Sequence, residues 1–167
     1  VTGAWSSYGS VSGAFKLNSY SADITQLFVD EQPMVSARWP NAQFYDDSIF
    51  SHSTWAEGDE DNSSNGSLTI DESVHNPGSL DLNGSIGVLN IGSFKTWTVE
   101  MTGHTQSASN DVITYNTSDI GTYKDKHHYY FFEGKIDFLD NPNEWFHDKS
   151  TNELYFCLLY TSDAADE

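Results

Sequence analysis

Basic residues are scarce in this chain. Of its 167 residues 7 are Lys or Arg and 25 are Asp or Glu, a formal net charge of −18 at pH 7. Arg38 is the sole arginine, and neither Lys nor Arg occurs between Trp39 and Phe94. Nucleic acid is excluded as a partner, because its affinity comes from cations that neutralise phosphates. A polyanionic ligand would need a bridging cation in this stretch. Cysteine is nearly as rare: Cys157 stands alone. A disulfide framework and Cys-based metal sites are therefore excluded, while secretion stays open. No apolar run reaches the roughly 18 residues of a membrane span. Helical periodicity is nearly absent, and no repeat of fixed length is visible. The chain also lacks a Gly-x-Ser-x-Gly nucleophile elbow and a Gly-rich phosphate loop before a helix.

What is present is aromatic content, 14% of the chain, and strands that alternate apolar with polar residues between Gly, Ser, Asn and Asp turns. Strand-like pieces fall at residues 3–5 and 13–17. Residues 24–29 and 34–39 predict a hairpin across Asp30-Glu31-Gln32-Pro33, with Glu31 where Gly would be easier if the turn needs positive φ. Residues 43–78 are acidic, rich in Ser and Asn and too long for an ordinary connection, so they predict a functional loop or an excursion with small elements of its own. Strands are predicted at 80–82, 86–91, 95–102 and 112–115. Residues 123–133 are compatible with a strand or with one or two helical turns.

The most informative stretch is 139–156. Pro142 forces Asn141 into extended conformation, and Trp145 with Leu154-Tyr155-Phe156 supplies residues that pleated surfaces favour. Asp148 can accept bonds from N–H groups two residues on, and Asn152 tolerates a left-handed position. The reading is a β-hairpin opened by Asp148 and closed by Asn152.

The last eleven residues, 157–167, resemble the translation of a transposon-type sequencing adapter and are expected not to be native. Asp163, Asp166 and Glu167 would take three negative charges with them, from −18 to −15. The chain starts at Val1, and the expectation is a bacterial fragment from environmental DNA, truncated at both ends. Residues 1–156 suit one domain.

Three blocks, Gln26-Leu27-Phe28-Val29-Asp30 through Ala37-Arg38-Trp39-Pro40-Asn41, Gly78-Ser79-Leu80-Asp81-Leu82 through Leu89-Asn90-Ile91-Gly92-Ser93-Phe94, and the 139–156 hairpin, together resemble the N-terminal part of secreted right-handed parallel β-helix proteins. The nearest resemblance is to glycoside hydrolase family 141 and its relatives, in the insertion domain that interrupts the first coils. The resemblance implies an all-β fold with little helix: an antiparallel sandwich-like or barrel-like insertion domain carrying incomplete edges of a right-handed parallel β-helix. Residues 1–22 would lead into the β-helix, and 23–156 would form the insertion domain and the return. It further implies a polysaccharide-degrading parent of the pectin lyase-like fold, acting outside the cytoplasm (extracellular, periplasmic or cell-surface), with polysaccharide or oligosaccharide as partner. The alternatives are a non-catalytic carbohydrate-binding or surface-attachment module and a lyase-type parent. Glu31, Asn143 and Asn152 depart from the family pattern where Gly is usual. The family's catalytic carboxylates belong to later coils, so no catalytic residue is carried over. No cofactor and no metal is expected.

Each chemical candidate has a bland competitor. Residues 61–72 have calcium-loop spacing, with oxygen ligands at Asp61, Ser63, Asn65 and Thr69, Gly66 sixth, Leu68 eighth and Glu72 twelfth. Flanking helices are missing, which favours a solvated acidic loop. His52, His75, His104, His127, His128 and His147 lack metalloprotease spacing. Adjacent His127 and His128 would point to opposite faces if extended. Asp137, Asp140, Glu144 and Asp148 are close enough in sequence for a glycosidase pair, although Asp140 and Asp148 read as strand-end and turn residues. Arg38 is expected to anchor its hairpin through a buried carboxylate. Trp5, Trp39, Trp55, Trp97 and Trp145 could stack on sugars; core packing is the default, and Trp55 is the best exposed candidate.

Overall fold

The structure is a computed structural model that describes residues 3–92, 95–107, 109–120 and 126–158. Ser93 and Phe94, the start of the 123–133 stretch and the tail from 159 lie outside the described residues. Among the described residues fourteen strands carry the fold: β1 (Trp5–Ser7), β2 (Ala14–Leu17), β3 (Phe28–Val29), β4 (Gln32–Pro33), β5 (Val35–Ser36), β6 (Arg38–Trp39), β7 (Ala56–Glu57), β8 (Ser67–Thr69), β9 (Ile86–Gly92), β10 (Lys95–Thr105), β11 (Val112–Tyr115), β12 (Tyr129–Glu133), β13 (Glu144–Asp148) and β14 (Glu153–Cys157). Among the described residues helix is confined to single 3-10 turns, and none is long and apolar enough to cross a membrane.

The strands form two open sheets and one hairpin. A five-stranded sheet runs β1-β2-β14-β13-β5, and a seven-stranded sheet runs β6-β12-β9-β10-β11-β8, with β7 beside β6 on the same edge of β12. All pairings are antiparallel except one, in which Glu144 and Trp145 of β13 lie parallel to Val35 and Ser36 of β5. The fold is all-β with unclosed sheets, so the expected barrel-like closure is not what holds it together. One core spans both sheets: Leu89, Ile91, Met101, Ile113, Tyr130 and Phe132 from the larger meet Ala14, Tyr155 and Cys157 from the smaller. A second core, with Leu17, Leu27, Met34, Trp145 and Leu154, covers the other face of the five-stranded sheet.

The 139–156 hairpin forms as expected. Asp148 Oδ1 accepts from the N–H of Ser150 at 2.8 Å and of Thr151 at 3.3 Å, and Asn152 sits at φ 56°. Period-2 alternation holds in β9, β10, β11 and β12, which settles Tyr129–Glu133 as strand. In β12 the Tyr130 and Phe132 side chains enter the core, while Tyr129, Phe131 and Glu133 take the opposite face. The 43–78 excursion has its own small elements and buries Ala56, Leu68 and Ile70 completely.

Three expected strands differ. Residues 80–82 form no strand; Leu82 is buried in an irregular segment whose N–H donates to His104 Nδ1 at 3.1 Å. Of residues 24–29 only Phe28–Val29 pair, across a two-residue turn in which Asp30 (φ 49°) and Glu31 (φ 66°) are both left-handed, so Pro33 belongs to the returning strand. Residues 34–39 are divided between the sheets, with β5 in one and β6 in the other, because the chain crosses over at the fully buried Ala37.

Glu31, Asn143 (φ 64°) and Asn152 thus all hold left-handed backbone, the three positions at which Gly would be expected. Glu31→Gly and Asn152→Gly should each raise the unfolding free energy, by about 0.5–1 kcal/mol and most for Glu31, since Asn tolerates this region better than Glu. The check is a higher urea midpoint at an unchanged m-value.

Candidate functional site

A groove runs along the seam between the two sheets, built from two hollows that share Ser36 and Glu133. The first, about 310 Å³, is walled by Arg38, Phe44, Ile49, Trp55, Phe131 and Glu133. The second, about 610 Å³, continues past Gly134 to Trp145, His147, Asp148 and Lys149. The walls follow from local structure. Arg38 and Glu133 are register partners across β6 and β12, so their side chains leave the same face of the sheet. Phe131 lies two residues before Glu133 and joins that face. The 3-10 turn at His52–Thr54 delivers Trp55 on top, meeting Phe131 edge to face at 87° with centroids 4.8 Å apart.

Arg38 is the most constrained side chain here. It is 3% exposed; its Nε donates to Pro40 O at 2.9 Å and its Nη2 to Thr54 O at 2.7 Å. The guanidinium carbon lies 3.9 Å from the Phe131 ring centroid, a cation–π contact. Burial pulls the Arg38 pKa down to about 10, opposed by the charges of Glu133 and Glu144. The expected carboxylate anchor is therefore corrected: carbonyls and an aromatic face hold this cation, and no ion pair to Arg38 exists among the described residues.

Of the four clustered carboxylates, Asp140 acts on Glu144 through its charge, and each has a structural setting of its own. Asp137 and Asp140 are exposed. Asp148 is occupied by its turn, whose Ser150 hydroxyl and N–H hold its carboxyl below the usual range. Glu144 is fully buried and points into the core between the sheets. Its Oε2 accepts from the N–H groups of Asp140 at 3.2 Å and Asn141 at 3.0 Å, while Oε1 is buried without a partner. Burial raises its pKa to about 8 against those two bonds, so Glu144 is a neutral acid near pH 7 that pins its own turn.

The histidines are structural in this arrangement. His104 is held at both ring nitrogens: Nδ1 accepts the Leu82 N–H, which leaves the proton on Nε2 to donate to Asp111 Oδ2 at 3.0 Å. A ring with both nitrogens engaged has none left for a substrate. Glu72 lies beside Asp111, and burial followed by the Asp111 charge raises its pKa. His147 Nε2 donates to Tyr20 O at 2.9 Å, and His128 Nδ1 bonds Tyr130 Oη at 2.8 Å. His52 stacks on Tyr129, centroids 5.0 Å apart, and His75 meets Trp39 edge-on. Exposed His127 takes φ 63°.

The calcium-like spacing at 61–72 is used for backbone folding. Ser63 Oγ donates to Asp59 O and accepts from Thr69 N, Thr69 Oγ1 donates to Asn62 O, and Asn65 Oδ1 accepts from Tyr115 Oη. Asn65 and Gly66 (φ 91°) turn the chain between the bridged Ser64 and Ser67. Among the tryptophans, Trp39 and Trp145 are buried, Trp97 packs on the main core, and Trp5 meets Phe156 at 4.6 Å. Trp55 is half-buried at the groove, less exposed than expected, and lines the first hollow beside Arg38 and Glu133. Ser36, Phe131 and Glu133 were not singled out from sequence. Period-2 alternation along residues 129–133 is the signal that pairs Phe131 with Glu133 on one face.

A third hollow, about 440 Å³, lies under the β3–β4 hairpin and includes Gln43, whose side-chain oxygen and nitrogen are buried without partners. One of its walls is Leu158, inside the adapter-like segment, so its shape is tied to that segment.

No family model matches the sequence, and no curated protein matches it. A solved structure of a glycoside hydrolase does match, with a TM-score of 0.64 at 15% identity, covering 98% of this chain. The fold is similar to part of a glycoside hydrolase. The chain spans 29% of the length of that protein, and the likeness is one of fold.

Two predictions concern the buried acids. Glu144 has an ordinary pKa of 4.5 and a folded value of about 8, so the native state holds more protons than the unfolded state between those values. The stabilisation is complete below pH 4.5 and is lost as pH rises toward 8. Glu144→Gln should flatten that decline and stabilise the protein at pH 8 by about 1–3 kcal/mol, read from unfolding midpoints across the range. Asp111→Ala strands the His104 Nε2 proton and the Ser107 N–H, and should cost about 2–4 kcal/mol by urea denaturation.

Proposed function

We propose that this chain is part of a secreted glycoside hydrolase that degrades polysaccharide, and that these residues form a β-rich insertion domain that guides substrate while the catalytic carboxylates lie elsewhere in the protein. The observation that carries the reading is the match of 98% of this chain to part of a solved glycoside hydrolase. The parallel β5–β13 pair supports the β-helix component, resembling family 141 and its relatives. Its two strands are joined by the long excursion from residue 37 to residue 143, a right place for an insertion between successive coils. The seam groove, with aromatic walls and a few converging polar groups, has the composition of a carbohydrate site. Extracellular, periplasmic or cell-surface location follows from a polysaccharide substrate.

A non-catalytic carbohydrate-binding module is the second reading, favoured by the neutral, turn-locked state of Glu144. Both readings predict that the 167-residue chain is retarded in affinity electrophoresis through gels loaded with polysaccharide. The chain is expected to release no reducing ends from a panel of plant and bacterial polysaccharides. Measurable turnover by the chain alone would overturn the placement of the chemistry outside it.

A further inference from the structure

We infer that the hollow formed by Arg38, Trp55, Phe131 and Glu133 is a subsite for one neutral pyranose ring of a polysaccharide, with Glu133 excluding uronic acids. The assignment rests on the carbohydrate-guiding reading above and adds the sugar class and the residues that select it.

Arg38 has hydrogen-bond donors to spare. Its Nε and Nη2 are engaged by Pro40 O and Thr54 O, and its Nη1 has no hydrogen bond to a described residue. A guanidinium presents five N–H groups in a fixed fork. The part not turned toward carbonyls borders the hollow that Arg38 lines. Stacking on Phe131 fixes the plane of the fork, so a ligand meets donors that are already ordered.

Glu133 leaves the same face, and its charge acts on Arg38 without an ion pair forming between them. The hollow therefore contains a fixed donor, a separate acceptor and no net charge. That combination suits hydroxyl groups, which donate to a carboxylate and accept from a guanidinium in adjacent positions. Trp55, half-buried and edge-on to Phe131, supplies apolar surface for the C–H face of a sugar ring. A volume of about 310 Å³ admits one pyranose ring, and the shared Ser36 and Glu133 let a chain continue into the second hollow.

The charge balance decides against an acidic sugar. A uronate carboxylate placed at Arg38 would stand beside Glu133 and within the field of a chain of net charge −18. Glu133 makes no hydrogen bond or ion pair with a described side chain, and its charge reaches Arg38 only at longer range.

The test uses affinity electrophoresis of the 167-residue chain in gels containing neutral polysaccharides with pyranose backbones (arabinoxylan, glucomannan, galactan) or polygalacturonate. The expected result is retardation by a neutral polymer and none by polygalacturonate. Trp55→Ala should weaken the neutral interaction about fivefold to tenfold. Glu133→Gln, isosteric and at the groove surface, should raise affinity for polygalacturonate about tenfold by leaving Arg38 uncompensated. Stronger binding of polygalacturonate by the unaltered chain would overturn the selectivity. Neutral binding that neither substitution changes would overturn the subsite and leave the carbohydrate-guiding reading standing. Retardation by no polymer would overturn both.

Discussion

The crossover at residues 35–39 is the constraint on which the rest depends. Within five residues the chain leaves one sheet at Ser36, buries Ala37 and enters the other sheet at Arg38. A buried cation is costly unless it is well solvated by protein groups. Here two carbonyls and the Phe131 face do that work, and each comes from a different part of the fold: Pro40 after the crossover, Thr54 from the excursion, Phe131 from β12. Arg38 can be satisfied only when all three are assembled. Its charge therefore couples the excursion to the seven-stranded sheet.

Glu144 is the counterpart on the other side of the crossover. It lies in β13 beside Val35, fully buried, and its neutral carboxyl accepts the two N–H groups of the turn that leads into the hairpin. Both ionisable residues at the joint are held by the main chain. The two side chains are not paired with each other, and ionisation of Glu144 would favour the charged form of Arg38. The seam they stabilise is open on its outer side, and that opening is the groove. Structural and ligand-facing roles meet in Arg38, whose inner donors hold the joint while its remaining edge borders the hollow.

Strong alternation and turn chemistry were legible from the residues themselves. The Asp148 and Asn152 turn, the strands over residues 86–91, 95–102 and 112–115, and the strain at Glu31 all depend on neighbours in sequence, which is why local rules locate them. The 80–82 stretch reads as a strand because Leu80 and Leu82 alternate, yet Leu82 is buried by side-chain packing and its N–H is taken by an imidazole. Residues 34–39 look like one strand because no local signal marks which sheet each half will join. The Arg38 partners are hidden for a related reason: carbonyls at Pro40 and Thr54 carry no sequence signature, whereas carboxylates do.

The sequence by itself determined the all-β class, the punctuation of the hairpins and the acidic character, because composition and short-range periodicity are sufficient for each. Only the tertiary structure decided that two open sheets share a core, that one parallel pair joins residues more than a hundred positions apart, and that Arg38, Trp55, Phe131 and Glu133 line one hollow. Those juxtapositions arise from strand pairing between distant segments. Pairing of that kind is set by the burial of whole faces, a property no single stretch of residues contains.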